Sequence, residues 1–167
     1  MAHLIVTLLA IALAAFVMAS GVWYLDARIG TTNEVKLKTM SGMASLSSAY
    51  RSYKMAASTV LPETSWETEI EGYVSMPKPP GNGLVWSYDC NGNFALPLAA
   101  CNSSARHAIC LSGTSVSEVQ FNGMKRARTQ MSSSQLDLGA DCGGSEYDVA
   151  TPGAFPASVA LTYWMTN

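Results

Sequence analysis

The chain begins with an uninterrupted apolar run, and this run limits what the rest of the chain can be. No charged side chain occurs from Leu4 to Leu25, and Asp26 ends the run. A helix over this run would be about 33 Å long, which is enough to cross the hydrocarbon core of a bilayer. The residues that follow the run have a composition that is compatible with a domain surrounded by water. The sequence therefore predicts an apolar helix joined to a water-compatible head.

Three interpretations of the apolar run are open. It is a simple membrane anchor, a secretory signal peptide cleaved near Val17-Met18-Ala19, or a helix that first lies in a membrane and later packs into a protein assembly. No Lys or Arg precedes the run, which disfavours the signal peptide. The basic residues that follow it would be cytoplasmic under the positive-inside rule. A cytoplasmic position of these residues would conflict with a head that is exported. A basic leader that preceded Met1 and was later cleaved off would resolve this conflict.

The cysteines indicate an exported, disulfide-bonded head. There are four of them, and they lack any CxxC pair: Cys90, Cys101, Cys110 and Cys142. This spacing argues against zinc binding and dithiol redox chemistry, and it favours disulfides formed in an oxidising compartment. Four cysteines allow three pairings, so the sequence alone leaves the pairing open.

Apolar residues continue at helical spacing beyond the run, and Pro62 is expected to stop the helix. The apolar face consists of Leu37, Met40, Met43, Leu46, Tyr50, Tyr53, Ala57 and Val60. Between the two parts, residues 28–33 contain weak helix formers, which predicts a kink, local unwinding or an ordinary boundary. We therefore expect a hydrophobic half over 1–25, an amphipathic half over 26–61 and a globular head over 62–167.

The head has the patterns of a strand-rich domain. Strands are predicted at 84–88, at 108–111 and at 158–166, and the last should be an interior strand because large residues alternate on both of its faces. Asn91-Gly92 is a hairpin-turn signal before 93–96. The aromatic residues expected in the core are Trp66, Tyr73, Trp86 and Tyr88.

One further helix is predicted in the head. Ser115 and Glu118 have the spacing of a capping box, which would open a helix running to about Gln130. Its inward residues would be Val116, Val119 and Met124, although Gly123 weakens the helix. Its basic residues are expected to form a solvated face or to contact an acidic surface of a neighbouring subunit; they are Lys125, Arg126 and Arg128.

No pattern of a catalytic, cofactor-binding or metal site is recognisable. Charged residues are 13% of the chain, the net charge is −2, and no basic stripe suggests nucleic-acid binding. His3 and His107 have no base or nucleophile nearby in sequence, so structural roles are expected. An acidic group in a Gly-rich stretch has no EF-hand spacing and is expected to be a solvated loop rather than a calcium site; its members are Asp137, Asp141, Glu146 and Asp148.

This plan resembles that of the type IV pilins. The segments Ala12–Ala15, Ala19–Val22 and Trp23-Tyr24 resemble the N-terminal helix of the type IVb, bundle-forming group, and Leu161–Met165 resembles their closing strand. The resemblance implies an α+β fold in which a long N-terminal helix packs on an antiparallel sheet. It also implies a disulfide between Cys110 and Cys142, which leaves Cys90 and Cys101 to form a second one.

The resemblance implies a structural role rather than catalysis. Such a chain waits in the inner membrane and then joins copies of itself in an extracellular filament through its N-terminal helix, with the help of a pilus assembly machinery. The filament would serve adhesion, aggregation, motility or DNA transfer. Packing in the filament core is expected for Leu4, Leu8, Ala10, Ala14, Ala15, Ala19 and Trp23.

One position departs from the pilin pattern. Type IV pilins usually carry a glutamate near the mature N-terminus, and this chain has Val6 there, after Ile5. The departure is expected to weaken the registration of subunits. The alternatives to a filament subunit are a membrane-anchored exported domain, such as an assembly factor or sensor, and a secreted enzyme or binding domain behind a signal peptide.

Overall fold

The structure consists of a helix that packs on a four-stranded antiparallel sheet, with two short helices beside it. The computed structural model describes residues 2–90, 94, 101, 106–131, 135–144 and 158–165, and it describes side chains of the first helix at 11–14, at 17 and from 28 onward. The elements are α1 (Ala2–Ala57), α2 (Trp66–Glu71), β1 (Leu84–Asp89), β2 (His107–Thr114), α3 (Glu118–Gln130), β3 (Leu136–Gly139) and β4 (Ser158–Met165). The predicted α+β class with an antiparallel, disulfide-bonded head is confirmed.

The strand predicted as interior lies inside the sheet. The strand order is β1-β2-β4-β3, so β4 pairs with β2 on one side and with β3 on the other. Val159 and Leu161 face the helices, while Ala160 and Thr162 on the opposite face are equally buried. Burial on both faces explains why β4 shows alternation without a polar face. The predicted strands at 84–88 and 108–111 are also confirmed, within β1 and β2.

The second half of α1 covers the inner face of the sheet. Met43 and Leu46 are fully buried, and Tyr50 and Tyr53 are nearly so. Their spacing of three to four residues places them on one side of a helix, as the sequence predicts. Leu37 was expected on this face but is 61% exposed. It lies six residues before Met43, which in a 3.6-residue period turns it away from the sheet.

Helix α1 ends at Ala57, earlier than the sequence indicates. Pro62 was expected to stop the helix, but Ser58 already adopts a left-handed backbone with φ of 53°. The Ser58 amide donates to the Lys54 carbonyl at 3.2 Å, which closes the last turn. Val60, predicted on the helix face, therefore lies in the connection to α2.

Helix α1 shows no break at the weak helix formers of 28–33. The helix is continuous there, and the Thr31 and Thr32 hydroxyls donate to the Arg28 carbonyl at 3.0 and 2.8 Å. Threonine side chains in helices commonly bond back to the preceding turn in this way. Of the alternatives predicted for this segment, local unwinding is therefore wrong.

The capping box of α3 lies two residues later than predicted. Ser117, not Ser115, caps the helix, and its hydroxyl accepts from the Gln120 amide. The Gln120 side chain in turn accepts from the Ser117 amide at 2.7 Å. Ser115 has a φ of 59° and lies in the turn that leads into the helix. Both SxxE and SxxQ fit the motif, so the pattern alone does not choose between them.

Gly123 is required where α3 crosses α1. A Cβ atom at this position would lie 2.5 Å from Cγ1 of Val35 and 3.0 Å from the Thr32 carbonyl oxygen. From the sequence alone, this glycine is expected to weaken the helix, because glycine is a poor helix former. The structure shows that it allows the two helices to approach closely.

We expect Gly123→Ala to lower the free energy of unfolding by about 1–3 kcal/mol, because the added methyl group overpacks the helix crossing. Gly30→Ala is the matched control, since a Cβ there meets nothing within 4 Å. In a helix, alanine is favoured over glycine, so the control should be neutral or more stable by up to about 1 kcal/mol. Urea unfolding in detergent measures both, and equal effects would contradict the close approach.

Within the described residues, no helix has a segment both long and apolar enough to cross a membrane. Most side chains of the Leu4–Leu25 run lie outside the described ones, so the membrane-spanning interpretation of this run stays a prediction.

Candidate assembly surface

The first helix exposes apolar side chains around its circumference. Ile11, Leu13 and Val17 are 63–66% exposed, and Ala12 and Ala14 between them are also exposed. Successive residues of a helix are turned by about 100°, so positions 11–14 cover about 300° of the circumference. An amphipathic helix of a globular domain has an apolar stripe on one side only. These residues therefore form a surface that the head of the same chain does not cover.

The predicted filament-core residues lie almost entirely outside the described side chains. Only Ala14 of that group is described, and it is exposed. The placement of the other six, which are Leu4, Leu8, Ala10, Ala15, Ala19 and Trp23, stays a prediction.

A buried polar cluster ties α1 to the sheet. The hydroxyls of Tyr50 on α1 and Tyr88 on β1 lie 2.9 and 2.7 Å from Nδ1 of His107 on β2. A hydroxyl can donate or accept, so this nitrogen is hydrogen-bonded in either tautomer. His107 is 1% exposed, and the structural role predicted for it is confirmed. The cluster joins three elements across the core and so fixes how the head is held on the helix.

Burial shifts the tyrosines of this cluster toward their neutral forms. Loss of solvent raises the pKa of Tyr88 far above its usual value, and the nearby Tyr50 and Asp89 raise it further. Burial also raises the pKa of Tyr50. A group whose pKa is raised by folding stabilises the fold below its unfolded pKa, and this contribution is lost as the pH rises.

We therefore expect the free energy of unfolding to fall above about pH 10, where tyrosines of the unfolded chain ionise. Tyr88→Phe should lower stability at pH 8 by about 0.5–1.5 kcal/mol through the lost hydrogen bond, and it should reduce the alkaline fall. Denaturant titrations at pH 8 and pH 11 test both effects. An alkaline fall of the same size in the variant would exclude Tyr88 as its source.

The disulfides brace the edge and the outer face of the head. Cys110 pairs with Cys142 and Cys90 with Cys101, which is the pairing that the pilin resemblance implies. Cys110 lies on β2 and is fully buried, so its bond holds the loop after β3 against the sheet. The Gly143 amide donates to the Thr162 hydroxyl at 2.9 Å and anchors the same loop. The loop is thus attached to both central strands.

An open groove of about 740 Å³ runs along the outer face of the sheet beside the Cys110–Cys142 bond. Its described lining includes Ser87, Ser112 and Asp141, but neither histidine nor lysine. The turn signal at 91–92 and most of the strand predicted at 93–96 lie outside the described residues.

The acidic residues predicted as a solvated loop are only partly described. Asp137 accepts from Nε1 of Trp164, and Asp141 lies in the turn before Gly144. Glu146 and Asp148 lie outside the described residues. Among residues that are described, no group of three or more His, Cys, Asp and Glu could hold a metal ion.

The aromatic and basic residues of the head differ in part from the predictions. Trp66, Trp86 and Tyr88 are buried as expected, but Tyr73 is 43% exposed. Arg126 is exposed, and its guanidinium donates to the side-chain oxygen of Asn33 on α1 at 3.1 Å. At least this member of the predicted solvated face therefore takes part in the contact between α1 and α3.

The sequence interpretation missed two short elements. Helix α2 has only one buried pair, Trp66 and Ile70, whose spacing of four residues was its one signal. Strand β3 has four residues, which is too short for a clear alternation.

Comparisons of this chain with known protein families, with curated proteins and with solved structures found no match. The arguments for its function therefore rest on its own residues.

Proposed function

We propose that this chain is a structural subunit of an extracellular filament of the type IV pilin kind. The observation that carries the proposal is the exposed apolar circumference at Ile11–Ala14, on a helix whose second half is built into a disulfide-bonded head. Burying a side chain such as Ile11 or Leu13 gains about 1.5–3 kcal/mol. The helix therefore favours an apolar environment on all sides, which lipid or a bundle of identical helices provides.

In this proposal the apolar helix lies first in lipid and later in a bundle of identical helices. The run Leu4–Leu25 holds the subunit in the inner membrane, and assembly then moves it among the helices of other copies. Small residues such as Ala10 and Ala14 let helices approach closely. The disulfides support export, because such bonds form and persist outside the cytoplasm. In this role the helix and head act by assembly and not by catalysis.

Electron microscopy of sheared cell-surface material tests the proposal. Filaments that contain this chain, identified by immunogold labelling and mass spectrometry, are the expected result. If the chain fractionates only with the inner membrane and shearing releases no polymer, the filament role is refuted. The mass of the mature N-terminus separates both outcomes from a cleaved signal peptide.

A membrane-anchored exported domain that does not polymerise is the second candidate. It is favoured by Val6, which stands where type IV pilins usually carry a glutamate. A carboxylate in an apolar bundle is costly unless paired, so a chain that never enters the filament has no need of one. Chemical cross-linking in cells would then yield no cross-linked oligomers of this chain.

A further inference from the structure

Two basic side chains lie together where the second half of α3 meets α1, and the acidic residues nearest to them in the chain, Glu34 and Glu118, are each paired with another cation. Arg126 is held over α1 by its bond to Asn33, and Lys36 follows Asn33 by one helical turn. Lys125 and Arg128 belong to the same half of α3, but both are only half-exposed and each already has a partner, so they are not counted in the surface. The only acidic residue of α3, Glu118, lies at its other end and pairs with Arg28 at 3.5 Å. We call Lys36 and Arg126 the basic surface.

An acidic surface lies on α2, formed by Glu67, Glu69 and Glu71. All three are exposed. Glu67 and Glu71 share one side of the helix, and like charges at this spacing repel each other. The ion pairs recorded for the described part of the chain join Arg28 to Glu118 and Lys38 to Glu34, and neither involves α2. Within the described residues, the three carboxylates of this surface therefore have no ion-pair partner.

The two surfaces are too far apart to pair within one chain. The basic surface contacts α1 at Asn33. The acidic surface lies near the other end, where Tyr73, just after α2, packs against Tyr53 with ring centroids 6.0 Å apart. Twenty residues of helix separate Asn33 from Tyr53, which corresponds to about 30 Å. Charges at this separation are screened at physiological salt, where the Debye length is about 8 Å.

We propose that the basic surface docks a second copy of the chain through that copy's acidic surface. Opposite charges on one chain provide the complementarity that such a contact requires. The contact joins two different surfaces, so it can extend from copy to copy without closing into a pair. An anionic lipid or a nucleic acid would engage the basic surface alone and leave the carboxylates of α2 without a role.

The proposal rests on the filament role, because in a filament of parallel copies a shift along the helix axis can place the basic surface of one copy beside the acidic surface of the next. Neighbours that pair in this way are offset along the helix axis by about 30 Å. The pairing is a contact between heads and is separate from the apolar packing of α1.

Charge reversal in the full chain tests the pairing. Lys36→Glu with Arg126→Glu should reduce the yield of sheared filaments at least about tenfold, and so should Glu67→Lys with Glu71→Lys, because each brings like charges together. The four changes combined should restore the yield. Lys78→Glu, an exposed change outside both surfaces, is the matched control and should leave the yield unchanged.

A cysteine pair gives a readout that does not depend on visible filaments. Glu71→Cys and Arg126→Cys in one chain should produce a ladder of disulfide-linked oligomers, and neither change alone should do so. A ladder without filaments would support the pairing while refuting the filament role. Filaments without a ladder, or with yields unaffected by reversal, would overturn the pairing. Loss in both reversals without rescue by their combination would also overturn it.

Discussion

Replacing Ala14 by aspartate is expected to abolish filaments while leaving the head folded. Ala14 is exposed within the apolar circumference of α1, far from the contacts that hold the head on the helix. In a bundle of like helices this position would be buried, where an unpaired carboxylate is strongly unfavourable. In lipid the same substitution costs about 2.5–3.5 kcal/mol at the centre of the bilayer. Sheared fractions examined by microscopy and immunoblotting measure the effect.

Two controls separate a failure of assembly from a failure of folding or export. Ala14→Ser keeps a small uncharged side chain and should retain filaments. Intact Cys90–Cys101 and Cys110–Cys142 bonds in the aspartate variant would show that its head has folded after export. Abundant normal filaments from the aspartate variant would mean that this part of α1 is not buried in them.

Removing the Cys110–Cys142 bond is expected to lower the free energy of unfolding of the head by about 2–5 kcal/mol. The bond closes a loop with a sequence separation of 32 residues and attaches it to a buried position of β2. The double substitution Cys110→Ser with Cys142→Ser avoids a free thiol. Urea unfolding of oxidised protein with and without these changes measures the loss.

The second disulfide provides an internal comparison. Cys90 and Cys101 are separated by only 11 residues. Loop-closure entropy then predicts a loss about 1 kcal/mol smaller for Cys90→Ser with Cys101→Ser. Equal stability of the reduced and oxidised wild-type heads would contradict a stabilising role for either bond.

The elements that could be predicted from the sequence are those with a long, regular pattern. The alternation of β4, the short apolar run of β2 and the face with Met43, Leu46 and Tyr50 each repeat the period of their secondary structure over several residues. The sequence-based predictions were wrong at the ends of helices, and they missed the short elements. The end of α1 depends on a single left-handed residue, Ser58, and no local pattern marked it.

The contacts of the site depend on the tertiary structure, and the sequence could indicate them only weakly. Gly123 reads as a weak helix residue until Val35 is placed against it. Tyr50, Tyr88 and His107 are far apart in the chain, and only the packing of α1 on the sheet brings them together. The apolar residues at 11–14 could be identified from the sequence, because an unbroken apolar run is recognised without knowledge of the tertiary contacts.

The place of β4 in the sheet has a consequence for how such a head matures. This strand follows all the others in the chain, yet it lies between β2 and β3 and pairs with both. Until β4 is in place, β2 and β3 each have an unpaired backbone edge, and the hydrophobic core lacks Val159 and Leu161. If the head is exported as we propose, a chain whose translocation stalls before β4 would be open to proteolysis and to wrong pairing, and only a fully translocated head would present a finished surface to other subunits.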